Sequence, residues 1–157
     1  MRVVHHLTDV YSRQQTSVQR SHVTIGVFDG LHRGHQKIIT GLVKAAHGAG
    51  RHPIVITFDP HPVAVLTDRV PLLLTTVGER LDLMESLGVD TVIVLPFTEE
   101  TVHTKADEFV VDLMRNLHLA EIRVGRDFTL GYDQKGNVAH LKTIGVEMGF
   151  RVCVVDP

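Results

Sequence analysis

Apolar residues along this chain fall into two alternating rhythms. Short runs of β-branched and aliphatic residues, at Val23 to Phe28, Ile54 to Phe58, Thr91 to Leu95, Ile122 to Gly125 and Arg151 to Val155, read as buried strands. Between them the apolar positions take helical spacing. Ile38, Ile39, Leu42, Val43 and Ala46 trace one helix face, with His47-Gly48 and Gly50 as its stop. Leu81, Met84 and Leu87 trace a second before Gly88, opened by a capping box at Thr76 and Glu79. Thr104 and Asp107 repeat that arrangement ahead of Phe109, Val110, Leu113, Met114 and Leu117. Asn137 is placed to cap a last helix running to Met148. Ahead of all this, Arg2 to Leu7 suits a short edge strand, and Tyr11 to Ser21 a polar connection.

Strands of buried type alternating with helices predict an α/β fold: a parallel sheet with right-handed crossovers and helices on both faces. Ligands of such sheets bind at the carboxyl ends of the strands, where the strand order reverses. A length of 157 residues suits one domain, and at that size about 70% of the unfolded surface is buried. At 43% hydrophobic and 22% charged, the composition is that of a globular protein, with no apolar run of membrane-spanning length. Met1 to Gln15 lacks the apolar core and cleavage site of a secretory signal. Cys153, the single cysteine, excludes an internal disulfide and a cysteine-rich zinc site; its strand context suggests a small buried hydrophobe, and a cytoplasmic location follows. A net charge of -2 gives no argument for a nucleic-acid or membrane partner. Recognition of phosphate has to be local.

One stretch has that local character. In Val23 to Gln36, a strand-like run breaks at Asp29-Gly30 and a helix opens with His32, Gly34 and His35 in its first turn. A strand, a tight turn and a helix start bring unpaired backbone N–H groups and the positive end of the helix dipole to one spot, which suits an anion. Histidines three apart on a helix share a face, so both rings reach one bound group. Gly26 and Gly34 permit close approach, and Gly30 permits a positive φ. Taken singly, Asp-Gly is a common turn and a histidine near a helix start is commonly solvated or capping. The pair also suits a metal, but no third ligand of obvious spacing accompanies it, and no metal site is assigned.

Gly26 to Gln36 resembles the GxFDGxHxGHQ signature of the FMN adenylyltransferase module of bacterial bifunctional riboflavin kinase/FAD synthetases, within the HxGH nucleotidyltransferase group. Two further segments match in order. Thr57 to Leu66 resembles TFxPHPxxxL, and Val124 to Gly131 resembles VGxDFxFG. The resemblance implies a Rossmann-like, doubly wound sheet of five strands in the order 3-2-1-4-5. It implies ATP binding by Gly26, Val27, Phe28, Asp29, Gly30, His32, Gly34 and His35, with His32 and His35 as the catalytic pair on the phosphates. Phe58, Pro60, His61, Pro62, Leu66, Asp127, Phe128 and Leu130 would form the flavin side, with Asp127 able to accept a hydrogen bond from a flavin ring N–H. Leu66 and Leu130 stand where some members carry an aromatic residue. Asp29 either shapes the turn or approaches the nucleotide; Arg33 and Lys37 either add positive charge or are ordinary solvated residues.

The implied reaction joins FMN and ATP into FAD and pyrophosphate, with Mg²⁺ carried by the phosphates. Residues 1–157 then read as an FMN adenylyltransferase domain. The family's ISSTxxR-type segment and its riboflavin kinase domain do not occur within residues 1–157, which leaves two readings open, part of a longer parent chain or a natural short form. Two alternatives stand beside this reading. One is a nucleotide- or flavin-binding module with little turnover; the other is an HxGH transferase acting with cytidine nucleotides or phosphopantetheine, against which the second and third segments argue.

Overall fold

The computed structural model describes residues 1–11, 19–67, 69–131 and 134–156. Its centre is a six-stranded sheet in which every neighbouring pair is parallel. In chain order the elements are β1 (Arg2–Val4), β2 (Ser21–Ile25), α1 (Arg33–Gly48), β3 (His52–Asp59), α2 (Pro62–Leu66), α3 (Val77–Ser86) and β4 (Thr91–Pro96). They continue with α4 (Glu99–Val102), α5 (Ala106–Leu117), β5 (Leu119–Gly125), β6 (Thr129–Leu130), β7 (Gly136–Asn137), α6 (Val138–Met148) and β8 (Arg151–Val155). The sheet order is β1-β4-β3-β2-β5-β8. Its last five strands are the five predicted ones in the predicted order, and Arg2–Val4 adds a sixth at the edge beside β4.

The period-two alternation of strand side chains gives the sheet two apolar faces. Ile54 and Ile56 of β3, with Ile122 and Val124 of β5, pack against Val110, Leu113 and Leu117 of α5 and Leu141 and Ile144 of α6. Val55 points the other way, joining Val92 and Val94 of β4 under Ile39 and Leu42 of α1 and Met84 of α3. Helices therefore cover both faces. Among the described residues no helix is long and apolar enough to cross a membrane.

The predicted caps at Thr76 and Asn137 are in place. Glu79 N donates to Thr76 Oγ1 at 3.2 Å while Thr76 N donates to Glu79 Oε2 at 2.8 Å, and His140 N donates to Asn137 Oδ1 at 2.9 Å. Thr104 departs from expectation. Lys105 occupies the N-cap of α5, its amide donating to Glu108 Oε2 at 3.3 Å, while the Thr104 hydroxyl donates back to Glu100 O at 3.4 Å and closes α4. The first predicted strand also ends early, at Ile25, because Phe28 adopts φ 56° and cannot extend a ladder. Cys153 is half-buried rather than buried, since β8 lies at the sheet edge. In the predicted connection Tyr11 to Ser21, residues 12–18 lie outside the described residues, and Ser21 already belongs to β2.

One polar cluster interrupts the sheet near the amino ends of its strands. The fully buried Glu121 takes Arg123 Nε and Nη2 on Oε1, at 3.1 and 2.9 Å, and Arg151 Nε on Oε2 at 2.9 Å. Arg151 is the β8 residue directly opposite Glu121 in the ladder.

Candidate active site

Beyond Ile25 the chain leaves the sheet with one last ladder bond, Gly26 N to Ile56 O at 3.0 Å. It then turns sharply through a single 3-10 turn, Asp29–Leu31, with φ of 56° at Phe28, 68° at Gly30 and 36° at Leu31. Left-handed backbone at Phe28 and Leu31 costs about 1–3 kcal/mol each and persists only where the surroundings over-determine it. Here ties from two sides do so. Asp29 accepts hydrogen bonds from Leu74 N and Thr75 N at 3.0 Å and from Thr75 Oγ1 at 2.9 Å, and Gly30 N donates to Thr75 Oγ1 at 3.0 Å. On the other side the Val27 carbonyl accepts from Arg80 Nη1 at 2.5 Å and Thr57 Oγ1 at 3.0 Å. Asp29 thus shapes the turn. The Leu74 amide, followed by the Thr75 hydroxyl and amide, holds its carboxyl below the usual range against the opposing pull of desolvation.

This turn delivers the histidines. His32 is the N-cap of α1, its Nδ1 accepting from His35 N at 3.4 Å, and the two rings stack with centroids 3.6 Å apart and planes 26° apart. The Phe28 ring meets His35 edge-on at 5.1 Å. Glycines ease both close approaches: a Cβ on Gly26 would lie 3.0 Å from Phe28 Cζ, and one on Gly34 would lie 3.1 Å from His32 Cε1, so either ring would have to shift slightly. Burial, and then the neighbouring His32, pull the His35 pKa down to about 4, so the ring is neutral at pH 7. Its Nδ1 is buried without a hydrogen-bond partner. A neutral, half-buried imidazole beside the free N–H groups of a helix start is poised to gain a proton when an anion arrives.

Gly26, Phe28, His32, Gly34 and His35 line one side of a cleft of about 650 Å³. Gly125 to Phe128, at the end of β5, and Val155 and Asp156, after β8, line the other. The cleft opens between β2 and β5, where the sheet order reverses. Val27, Asp29 and Gly30 support it from behind through Arg80, Thr57 and Thr75. Lys37 Nζ reaches the Asp156 carbonyl at 2.8 Å, and Arg126 pairs with Asp156 Oδ1 at 2.6 Å.

A second, apolar pocket of about 270 Å³ is walled by Phe58, Leu66, Phe97, Phe109 and Leu130, with Thr101 and Thr104 at its polar positions. Phe58 and Phe97 meet edge to face at 5.5 Å. The predicted flavin set is therefore divided. Phe58, Leu66 and Leu130 share the apolar pocket, whereas Asp127 and Phe128 line the histidine cleft, because β5 adjoins β2 and ends two residues before Asp127. Pro60, His61 and Pro62 build the approach instead. Asp59-Pro60 is a cis peptide, His61 Nδ1 caps α2 by accepting from Val63 N at 3.1 Å, and Pro62 is the first residue of that helix.

Phe97, Thr75 and Arg80 carry no reading from the sequence, while Phe109 is read there only as part of a helix face and Thr57 only as the start of a matched segment. A signal existed for Arg80: it stands four residues before Met84 on the inward face of α3, a cation at a core position. Among the described residues no group of three or more His, Cys, Asp or Glu side chains is arranged to hold a metal.

A doubly wound parallel sheet with a histidine-lined cleft at its switch point defines a Rossmann-like α/β module. The family model for FAD synthetase matches residues 14–157, and the chain belongs to the FAD synthetase family. It is 30% identical to the bifunctional riboflavin kinase/FMN adenylyltransferase of Buchnera aphidicola subsp. Acyrthosiphon pisum, over 100% of this chain and 49% of that protein. It is 32% identical to a putative bifunctional riboflavin kinase/FMN adenylyltransferase of Geobacillus thermodenitrificans, over 92% of this chain and 80% of that one. Among solved structures, a macrolide-efflux protein from Streptococcus pneumoniae superposes with a TM-score of 0.82 at 26% identity, covering 99% of this chain and 49% of its own. The chain spans about half the length of the first curated relatives it matches.

Proposed function

We propose that this chain is an FMN adenylyltransferase domain, joining FMN to the adenylyl group of ATP. The observation that carries this reading is the pairing of two unlike cavities at one end of the sheet: a histidine cleft over a helix start, suited to phosphates, and an aromatic pocket suited to a flat apolar ring. In the reaction an FMN phosphate oxygen forms a bond to the α-phosphorus of ATP, and the bond from that phosphorus to the β-bridging oxygen breaks. FAD and pyrophosphate result. No protein nucleophile is required; the protein's part is to orient two anions and to offset the charge gathering on the leaving pyrophosphate.

His32 and His35 bind the ATP phosphates together with the first amides of α1, and His35 takes up a proton as the anion binds. Gly26 and Gly34 let the nucleotide approach the backbone. Phe58, Leu66, Phe97, Phe109 and Leu130 hold the flavin ring, while Asp127 and Phe128 lie on the phosphate side, where the two substrates meet. Mg²⁺ suits this donor chemistry. Asp127 and Asp156 line the cleft and would offer hard oxygen ligands beside the phosphates, and the ion would neutralise triphosphate charge. A cytoplasmic location fits an enzyme fed by ATP and FMN.

Pyrophosphate release from ATP, FMN and Mg²⁺, followed with FAD formation, tests the reading. Equimolar FAD and pyrophosphate are expected. Binding of both substrates without either product would leave a binding module, and absence of ATP binding at millimolar concentration would sink the proposal.

A further inference from the structure

Arg80 has no counterpart in the reaction as described, yet the site leans on it. It is a residue of α3, 2% exposed, on the face turned toward Val27. Among the described residues it forms no ion pair; Asp29 and Asp59 favour its charge only from a distance. One nitrogen, Nη1, donates to the Val27 carbonyl at 2.5 Å and to Thr57 Oγ1 at 3.1 Å, and Thr57 Oγ1 donates to the same carbonyl at 3.0 Å. Nε is buried without a partner. A guanidinium keeps its charge at any ordinary pH, and burying it on neutral acceptors is costly. As packing alone, a leucine or methionine at this position would serve at less cost.

What that charge touches is the start of the strained turn. Fixing the Val27 carbonyl fixes the peptide plane leading into Phe28, whose left-handed backbone aims its ring at His35. His35 in turn stacks on His32. We propose that Arg80 is a positioning residue of the phosphate site: it ties Val27 to β3 through Thr57, holds the turn that presents the histidine pair, and backs that turn with an unpaired positive charge. This rests on the histidine cleft being the ATP site, and it assigns to α3 a part in binding that none of the recognised motifs contains.

The test compares Arg80→Met, Arg80→Lys and Thr57→Val with the parent protein, in two arms. Without ligand, NMR reads the contact between the Phe28 and His35 rings. Arg80→Met loses that contact at unchanged helix content, and Arg80→Lys restores it in part. With metal-free nucleotides, calorimetry of Arg80→Met shows ATP weakened about tenfold more than AMP, since a lost charge is felt in proportion to phosphate charge. Arg80→Lys regains most of this difference, and Thr57→Val, which keeps the charge, weakens both nucleotides alike. A folded Arg80→Met that keeps the Phe28–His35 contact and loses ATP and AMP affinity equally overturns the proposal. If Arg80→Met does not fold, an unaltered ring contact in both other variants overturns it. A parent protein that fails to bind ATP refutes the adenylyltransferase reading, while the ligand-free arm still decides the tie at Val27.

Discussion

The histidine cleft is framed by the ends of β2, β5 and β8 and the first turn of a sixteen-residue helix, so its walls inherit the rigidity of the sheet. The apolar pocket takes Phe58 from β3 and Phe109 from α5, but much of its remaining lining comes from α2, α4 and the β6–β7 hairpin, elements of two to five residues each. Elements so short have no independent stability and hold their shape by packing on one another. One cavity is therefore set before any ligand arrives, at the price of a strained turn. The other is shaped by side chains that a bound ring can still move. Electrostatic work on a phosphate requires the first kind of wall; a flat apolar ring tolerates the second.

The sharpest way to break this contrast is to remove a histidine. His35→Ala is expected to cut FAD formation about 10²- to 10³-fold, the usual effect of losing one preorganised donor, with FMN affinity changed less than about twofold. A matching loss of FMN affinity, seen by flavin fluorescence, would show that the cavities are not independent. Phe97→Ala addresses the other wall. It is expected to weaken FMN about tenfold by removing the edge-to-face partner of Phe58 and its buried area, with ATP affinity unaltered by calorimetry.

A smaller effect comes from pH. His35 titrates near 6.5 in the unfolded chain and at about 4 in the folded one, so between those values only the unfolded chain binds the proton. Stability must then fall as pH drops. The loss between pH 7 and pH 5 is about 1 kcal/mol after discounting for the ring's partial exposure, read as a shift in the urea midpoint that His35→Gln reduces. Saturating ATP should reverse the trend, because a bound anion favours the protonated ring. The mildest change is Asp29→Asn, which weakens the clasp on Leu74 and Thr75. Faster proteolysis within Val70 to Leu74 is expected, at nearly unchanged melting temperature.

The same contrast governs what could be read in advance. Buried parallel strands announce themselves as unbroken apolar runs, and helices of ten or more residues as repeated faces, so β2 to β5, β8 and the four longer helices were legible. So was the histidine pair, because its spacing and the Asp-Gly turn lie within fourteen consecutive residues. The four-residue α4 spans barely one turn and cannot display a period, which is why Thr104 was assigned to the wrong helix. Asp127 is grouped with Phe58 by the family resemblance, which assigns both segments to the flavin side; only the spatial order, with β5 and β3 on opposite sides of β2, separates them. Arg80, Thr57 and Thr75 act across 23 to 53 residues of sequence. No local pattern links such partners.

The ionic cluster at the far end of the sheet has a consequence for distances at the near end. Glu121 and Arg151 face each other at the amino ends of β5 and β8, and Val155 and Asp156 lie at the other end of β8, in the cleft wall. A strand is close to inextensible. A slip of one residue between β5 and β8 would carry Val155 and Asp156 about 3.3 Å along the cleft and reverse which face each side chain meets. Such a slip would also strand a buried carboxylate without its second guanidinium. Aliphatic replacements at positions 121, 123 and 151 would relieve the cost of burying these charges, yet would leave Val152, Cys153, Val154 and Val155 interchangeable in register. The cluster thus works as the zero mark of a ruler whose far graduation is the wall of the histidine cleft.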